Sequence, residues 1–219
     1  MFHQKILSLY FIAGTQDCRH LPTGSPEQKL LGVLETALQN GITCFQFREK
    51  GEFALKNDLQ IKNLAYACRD LCRQHNVPFV MNNDVKLAVQ MGADGVHIGQ
   101  SDMPPEQAAL LCNNKVFLGM SNSNRAHLQH SLSLKYLDYL AVGAIFPTQS
   151  KADASAPVGL DFIRVAREMC GNKPLVAIGG ITPENAPQIR AAGADGIAVI
   201  SAITQAENVA ETVQKLRAL

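Results

Sequence analysis

The sequence has almost no net charge: 20 Lys and Arg stand against 19 Asp and Glu, a formal balance of +1. A nucleic-acid footprint needs a strong basic excess, so no nucleic-acid partner is expected, although a local cationic pocket is still allowed. No apolar run is long enough to span a bilayer, which excludes a membrane partner. The opening stretch MFHQKILSLYFIAG is apolar only briefly before Asp17, Arg19 and His20, and does not read as a signal peptide. The expectation is a cytoplasmic protein. There is no Cys-x-x-Cys pair. The six cysteines, at 18, 44, 68, 72, 112 and 170, read as reduced thiols rather than a disulfide framework. Cys68 and Cys72 share a helix face and read as packing. HExxH, a Ser-His-Asp set and a loop Cys-His pair are also missing, so neither a zinc site nor an activated nucleophile is expected. No Pro/Ser-rich linker or charge block divides the 219 residues, which suffice for one domain over 1–219 with a core that needs no disulfide or structural metal.

What is present is alternation. Short apolar runs at Leu7–Ile12, Thr43–Phe47, Phe79–Met81, Gly95–Ile98, Phe117–Met120, Tyr139–Val142, Leu175–Ile178 and Gly196–Ile200 read as strands. Amphipathic stretches separate them, starting near Pro26, Glu52, Asp84, Pro104, Asn124, Gly159, Thr182 and Ala206. Several carry a polar cap or a proline in the first turn. Strands alternating with helices imply a parallel sheet, and eight such units at this length predict a (β/α)8 TIM barrel. A doubly wound open sheet is the alternative, but AGTQDC, not GxGxxG, follows the first strand. The matching segments MGADGVHIG and AGADGIAVI read as helix end, turn and strand on the face away from the chemistry, so Asp94 and Asp195 are expected to be structural.

In such barrels the chemistry sits at the carboxyl ends of the strands. After the second strand comes FQFREK, where period-two alternation turns Phe45 and Phe47 to the helices and Gln46, Arg48 and Lys50 to the mouth. Arg offers a planar fork matched to phosphate and Lys a mobile charge, against the plainer reading of a solvated strand end. Asp84 follows the third strand and Asp102 the fourth. Each alone reads as a cap or turn residue. Together, beside Asn83 and the cationic strand, they suit a hard cation such as Mg²⁺ bound to a phosphate substrate. Ser121, Asn122 and Ser123 end the fifth strand, where they either bind a ligand or cap a helix. The sixth is followed by a long hydroxyl-rich loop with Thr148, Ser150 and Lys151, either a second anion loop or a plain flexible one. Gly179–Gly180 and Ser201 end the seventh and eighth, where barrels bind phosphate through backbone N–H groups. His97 lies mid-strand with inward parity and reads as a satisfied core histidine before a base. His127 and His130 read as solvated.

FQFREK, VMNNDVKLAVQMGADGVHIGQSDM, FLGMSNSN, DYLAVGAIFPTQSK and VAIGGIT…GIAVISAI, in this order, resemble the thiamine-phosphate synthase family. The resemblance implies a (β/α)8 barrel transferase of thiamine biosynthesis. It would join 4-amino-2-methyl-5-hydroxymethylpyrimidine diphosphate to a thiazole phosphate, with or without a carboxylate on the thiazole, and release pyrophosphate. It implies that Gln46, Phe47, Arg48, Glu49, Lys50, Asn83, Ser121 and Lys151 contact the pyrimidine diphosphate, with Arg48, Lys50, Lys151 and Ser121 catalytic. Thr148, Gln149, Ser150, Gly180, Ile200 and Ser201 would contact the thiazole phosphate, and Asp84 and Asp102 would hold Mg²⁺. The partners implied are these small molecules; a homo-oligomer is compatible with the sequence. Three departures stand out. Ala13-Gly14-Thr15-Gln16-Asp17 follows the first strand where the family commonly has Asp at once, and Asn122 and Ser150 stand where threonine is usual. Two other readings remain open on the residues. One is a related barrel that isomerises or aromatises the thiazole phosphate, which needs no metal carboxylates; the other is a non-catalytic phosphate-ligand sensor.

Overall fold

The computed structural model describes residues 2–150 and 156–218. Eight parallel strands run in sequence order around a closed barrel: β1 (Leu9–Ala13), β2 (Cys44–Phe47), β3 (Phe79–Asn82), β4 (Gly95–Ile98), β5 (Phe117–Asn122), β6 (Tyr139–Val142), β7 (Leu175–Ile178) and β8 (Gly196–Val199). Pairing of β1 with β8, Phe11 opposite Val199, closes the ring and excludes the open sheet. Around it lie α1 (Pro26–Asn40), α2 (Asp58–Gln74), α3 (Val85–Met91), α4 (Pro105–Cys112), α5 (Arg125–Ser133), α6 (Gly159–Cys170), α7 (Ala186–Ala191), a single turn α8 (Ser201–Thr204) and α9 (Val209–Arg217). Among the described residues, no helix is long and apolar enough to cross a membrane.

The helices follow from local chemistry. In α1, Ser25 and Gln28 cap each other's backbone N–H groups, Pro26 occupies the first turn, and Gly41 ends the helix at φ +102°. Leu30, Val33, Leu34, Ala37 and Leu38 form its buried stripe. The second helix begins later than the sequence pattern suggests. Residues 51–54 form a turn, with Ala54 N–H donating to Gly51 O, residues 55–57 are irregular, and Asn57 caps the helix by accepting from Gln60 N–H. The first strand likewise starts at Leu9, because Gln4–Leu7 is a 3₁₀ turn. The last helix returns to the first: Gln214 Nε2 donates to Asn40 Oδ1 at 2.8 Å.

Strand alternation divides the core in two. Leu9, Phe11, Phe45, Phe47, Leu118, Met120, Leu140 and Val142 point outward into the helix layer. Tyr10, Ile12, Cys44, Val80, Tyr139, Ala141, Val176 and Ala198 point into the barrel. Large and small residues interdigitate there. A Cβ at Gly119 would overlap the Tyr139 ring, and one at Gly95 would overlap Phe117. The Phe2 ring closes the amino-terminal end, edge-on to Phe117 with centroids 5.3 Å apart. A fully buried ring, such as Phe11 or Phe45, contributes about 1.5–3 kcal/mol by removal from water.

Four side chains at that end stitch the strands in pairs. Thr43 Oγ1 accepts from Leu9 N–H at 2.8 Å, and Asp94 Oδ2 from Phe79 N–H at 2.9 Å. Asp138 Oδ2 accepts from Leu118 N–H at 2.8 Å, and Asp195 Oδ2 from Leu175 N–H at 2.7 Å. Each acceptor immediately precedes an even-numbered strand and satisfies an amide at or next to the start of the odd strand before it. The Gly-Ala-Asp-Gly aspartates are thus structural, and Arg167 pairs with Asp195 at 2.6 Å.

Candidate active site

At the opposite end the strand tips surround a cavity of about 370 Å³. Arg48 and Lys50 line it from β2, Asn82 and Asn83 from β3, Gly99 and Asp102 from β4, and Ser121 from β5. Thr148 and Ser150 line it from the loop after β6, Gly179 and Gly180 from β7, and Ile200 and Ser201 from β8. Residues far apart in sequence are therefore brought to one rim.

The β2 tip is braced from behind. Arg48 is buried, its N–H donates to Ala13 O at 2.9 Å, and its carbonyl accepts from Gln16 Nε2 at 2.8 Å. Glu49 accepts from Thr15 through both N–H and Oγ1 and from Leu55 N–H at 2.7 Å. The unusual Ala13–Asp17 stretch does not line the cavity; it carries the backbone of the cationic strand. Burial pushes the Asp17 carboxyl up, opposed by the Gly14 N–H and the positive charge of Arg48.

Asp102 is held at both oxygens. Asn83 Nδ2 donates to Oδ1 at 2.9 Å, and Gly99 N–H donates to Oδ2 at 2.6 Å. Asn83 adopts φ +66°, which directs its amide back toward β4. Asp84 is exposed and caps α3, Oδ1 accepting from Leu87 N–H at 2.9 Å. Among the described residues, no three His, Cys, Asp or Glu side chains gather as a metal cage. Asp102 lines the cavity with Arg48 and Lys50, and Asp84 stands on the neighbouring strand tip; so small a set of oxygen donors is of the kind Mg²⁺ accepts, since it takes few protein ligands and keeps water and substrate oxygens.

Not every residue of the sequence reading faces the cavity. Phe47 points outward into the helix layer, as its parity requires. The Glu49 carboxylate is occupied by loop amides, and Gln149 is exposed outside the lining. Gln46 lies inside the barrel rather than in the cavity wall, and Nε2 donates to Tyr10 OH at 2.7 Å. Asp84 is at the rim but is not a lining residue. Lys151 lies outside the described residues. Asn122 does line the cavity, but its buried amide is committed to the protein: Nδ2 donates to Met120 O at 3.0 Å and Oδ1 accepts from Ser131 Oγ at 2.6 Å.

Other residues enter unannounced. His127 is half-buried and lines the cavity, with Nδ1 3.1 Å from Ser123 Oγ, instead of facing solvent; its place in the first turn of α5, close after the β5 tip, puts it there. His97 lines the floor, its Nδ1 2.8 Å from Tyr139 OH and its Nε2 2.7 Å from Ser121 Oγ. Inward parity was the signal that could have singled out Tyr10 and Tyr139 beneath it.

Comparison with known proteins gives a consistent picture. Residues 9–203 match the family model described as thiamine monophosphate synthase. The thiamine-phosphate synthase of Pasteurella multocida is 52% identical over 210 residues, covering 96% of this chain and 95% of that protein. That of Haemophilus influenzae strain Rd is 47% identical over 215 residues, covering 98% and 95%. Among solved structures, the thiamine phosphate pyrophosphorylase of Pyrococcus furiosus superposes with a TM-score of 0.82 at 31% identity, covering 98% of this chain and 96% of that one.

Proposed function

The chain belongs to the thiamine monophosphate synthase family and acts as a thiamine-phosphate synthase, and we propose that it does so by pulling a diphosphate off an aminopyrimidine at the β2–β4 rim while the β6–β8 tips hold a thiazole phosphate. The substrates are then 4-amino-2-methyl-5-hydroxymethylpyrimidine diphosphate and a thiazole phosphate. The observation that carries this reading is the single cavity uniting Arg48, Lys50, Asn83 and Asp102 with Gly180 and Ser201.

In this mechanism the electron-rich ring expels pyrophosphate, leaving a stabilised methylene cation that the thiazole nitrogen attacks. The C–O bond to the diphosphate breaks, its electron pair leaves with pyrophosphate, and a C–N bond forms. No general base is needed. Arg48 and Lys50, with Lys151 by sequence, neutralise charge growing on the leaving group; positioned cations in a water-poor site act strongly on such charge. When bound at Asp84 and Asp102, Mg²⁺ supplies further charge neutralisation at the diphosphate. Asn83 orients Asp102, and Ser121 meets the pyrimidine substrate. Thr148, Ser150, Gly180, Ile200 and Ser201 anchor the thiazole phosphate, which holds the nucleophile in line.

The test is to mix both heterocycles with the protein and Mg²⁺ and to follow pyrophosphate and thiamine phosphate together. Matched release of both, abolished by chelation and reduced about 10²-fold or more in Arg48→Ala, is expected. Product formation that survives chelation and the substitution would overturn the reading.

A further inference from the structure

A line of hydrogen bonds crosses the barrel interior and ends at the cavity. Gln46 Nε2 donates to Tyr10 OH at 2.7 Å, and the Tyr10 and Tyr139 hydroxyls are 3.0 Å apart. Tyr139 OH lies 2.8 Å from His97 Nδ1, and His97 Nε2 lies 2.7 Å from Ser121 Oγ. Of the five, Ser121 is half-exposed at the cavity and His97 lines its floor; Gln46, Tyr10, Tyr139 and His97 are all buried. Burial holds both phenols well above their ordinary range, so each hydroxyl keeps its hydrogen.

The direction of the line follows from its first member. An amide nitrogen only donates, so the Tyr10 oxygen accepts and its hydrogen goes to Tyr139. The Tyr139 hydrogen then goes to Nδ1 of a neutral imidazole. The imidazole hydrogen sits on Nε2 and goes to Ser121 Oγ, leaving the serine hydrogen for the cavity. In the reverse direction the Tyr10 oxygen would accept twice, and its own hydrogen would be buried without an acceptor. Packing preserves the geometry: the His97 and Tyr139 rings stack with centroids 5.6 Å apart, and Gly119 leaves the space that the Tyr139 ring fills.

We propose that Tyr139 is a positioning residue: by fixing the His97 tautomer it makes Ser121 a hydrogen-bond donor toward the substrate. The atom that Ser121 meets is therefore an acceptor, a ring nitrogen or a diphosphate oxygen, and not the exocyclic amino group. The assignment of that substrate rests on the proposed function above; the tautomer itself does not.

Nitrogen-15 NMR of histidine-labelled protein without substrate reads the tautomer directly, with the His97 signal identified by its loss in His97→Gln. The wild type is expected to carry the hydrogen on Nε2. Tyr139→Phe, which keeps the ring, should shift the population toward Nδ1–H. Tyr10→Phe should leave the tautomer in place, because Tyr139 still donates. In kinetics, Tyr139→Phe should raise KM for the pyrimidine diphosphate about tenfold, the cost of one hydrogen bond, with KM for the thiazole phosphate unchanged. An Nδ1–H tautomer in the wild type, which is decisive even if Tyr139→Phe does not fold, would overturn the proposal, as would a tautomer that ignores Tyr139→Phe. A tautomer that moves as expected without a change in that KM supports the line of bonds and overturns only the assignment of Ser121 to the pyrimidine substrate.

Discussion

Asn83 and Asp102 come from the tips of neighbouring strands, and the amide of one holds the carboxylate of the other at 2.9 Å. Outer groups that orient a ligating carboxylate typically change metal affinity 10- to 100-fold. Asn83→Ala and Asn83→Gly should both raise the Mg²⁺ concentration for half-maximal pyrophosphate release about tenfold. Only the alanine variant should also melt earlier, since φ +66° suits glycine but not alanine. Unchanged Mg²⁺ dependence in both would remove Asp102 from the metal site.

Lys50 lines the cavity just past the β2 tip, with Gly180 and Ser201 coming from the β7 and β8 tips. Lys50→Ala should lower kcat about 10²-fold and leave KM for the thiazole phosphate within about twofold. Equal losses in both constants, measured with each substrate varied in turn, would place Lys50 outside the leaving-group end.

The alternation of short apolar runs such as Phe117–Met120 and Leu175–Ile178 with amphipathic stretches made the barrel legible, because a parallel strand covered by helices on one face and the barrel interior on the other is apolar on both. The rim was legible because Arg48, Asn83, Asp102, Gly180 and Ser201 each come within four residues of the end of an apolar run. Glu49 and Gln149 were misleading because neighbours in a motif need not share a face. Glu49 follows Arg48 in sequence, yet its carboxylate is taken by Thr15 and Leu55, two loops that the sequence does not show to be close. His127 was hidden because it sits on a helix, and the helix pattern does not reveal that the first turn of α5 faces the cavity. Asn122 was ambiguous until Ser131, nine residues on, proved to be its partner.

Asp138 supplies a pH signature. Burial raises its carboxyl above the ordinary value of 3.8, although the Leu118 N–H and Lys173 oppose the rise. Between 3.8 and the raised folded-state value, the folded protein binds more protons than the unfolded chain, so this group's contribution to stability falls as pH increases. Asp138→Asn lacks that titration. Chemical denaturation across pH should show the variant gaining on the wild type through this window and the gap becoming flat above it. A variant that loses ground to the wild type as pH rises through this window would contradict the burial argument.

The thiols should be nearly inert. Burial raises Cys18 to about 12 and Cys112 to about 11, and lifts Cys44, Cys68 and Cys72 well up. Cys170 is half-buried and the other five are buried. The thiolate is the reactive form, so iodoacetamide at pH 8 should label Cys170 first and slowly, and the rest only after unfolding. Rapid labelling of Cys68 or Cys72 in the native protein, seen by mass spectrometry, would show that α2 opens.

Gly180 is the sharpest test of the thiazole phosphate end. It sits at φ +63°, where an L side chain is strained. A Cβ there would lie 2.5 Å from Pro147 O and 2.7 Å from Phe146 Cβ, so the loops after β6 and β7 would have to part. Asn185 Nδ2 holds the Gly180 carbonyl at 2.9 Å, and Phe146 N–H donates to Gly179 O at 3.0 Å, so neither loop yields alone. The displacement falls on Thr148 and Ser150, which line the same side of the cavity, and not on Arg48 or Asp102 across it. Gly180→Ala should therefore raise KM for the thiazole phosphate about tenfold or more and leave KM for the pyrimidine diphosphate nearly unchanged, because a backbone shift of about 1 Å costs that much in positioning. The reverse pattern, with the pyrimidine diphosphate weakened, would mean that the two substrates occupy the cavity the other way round.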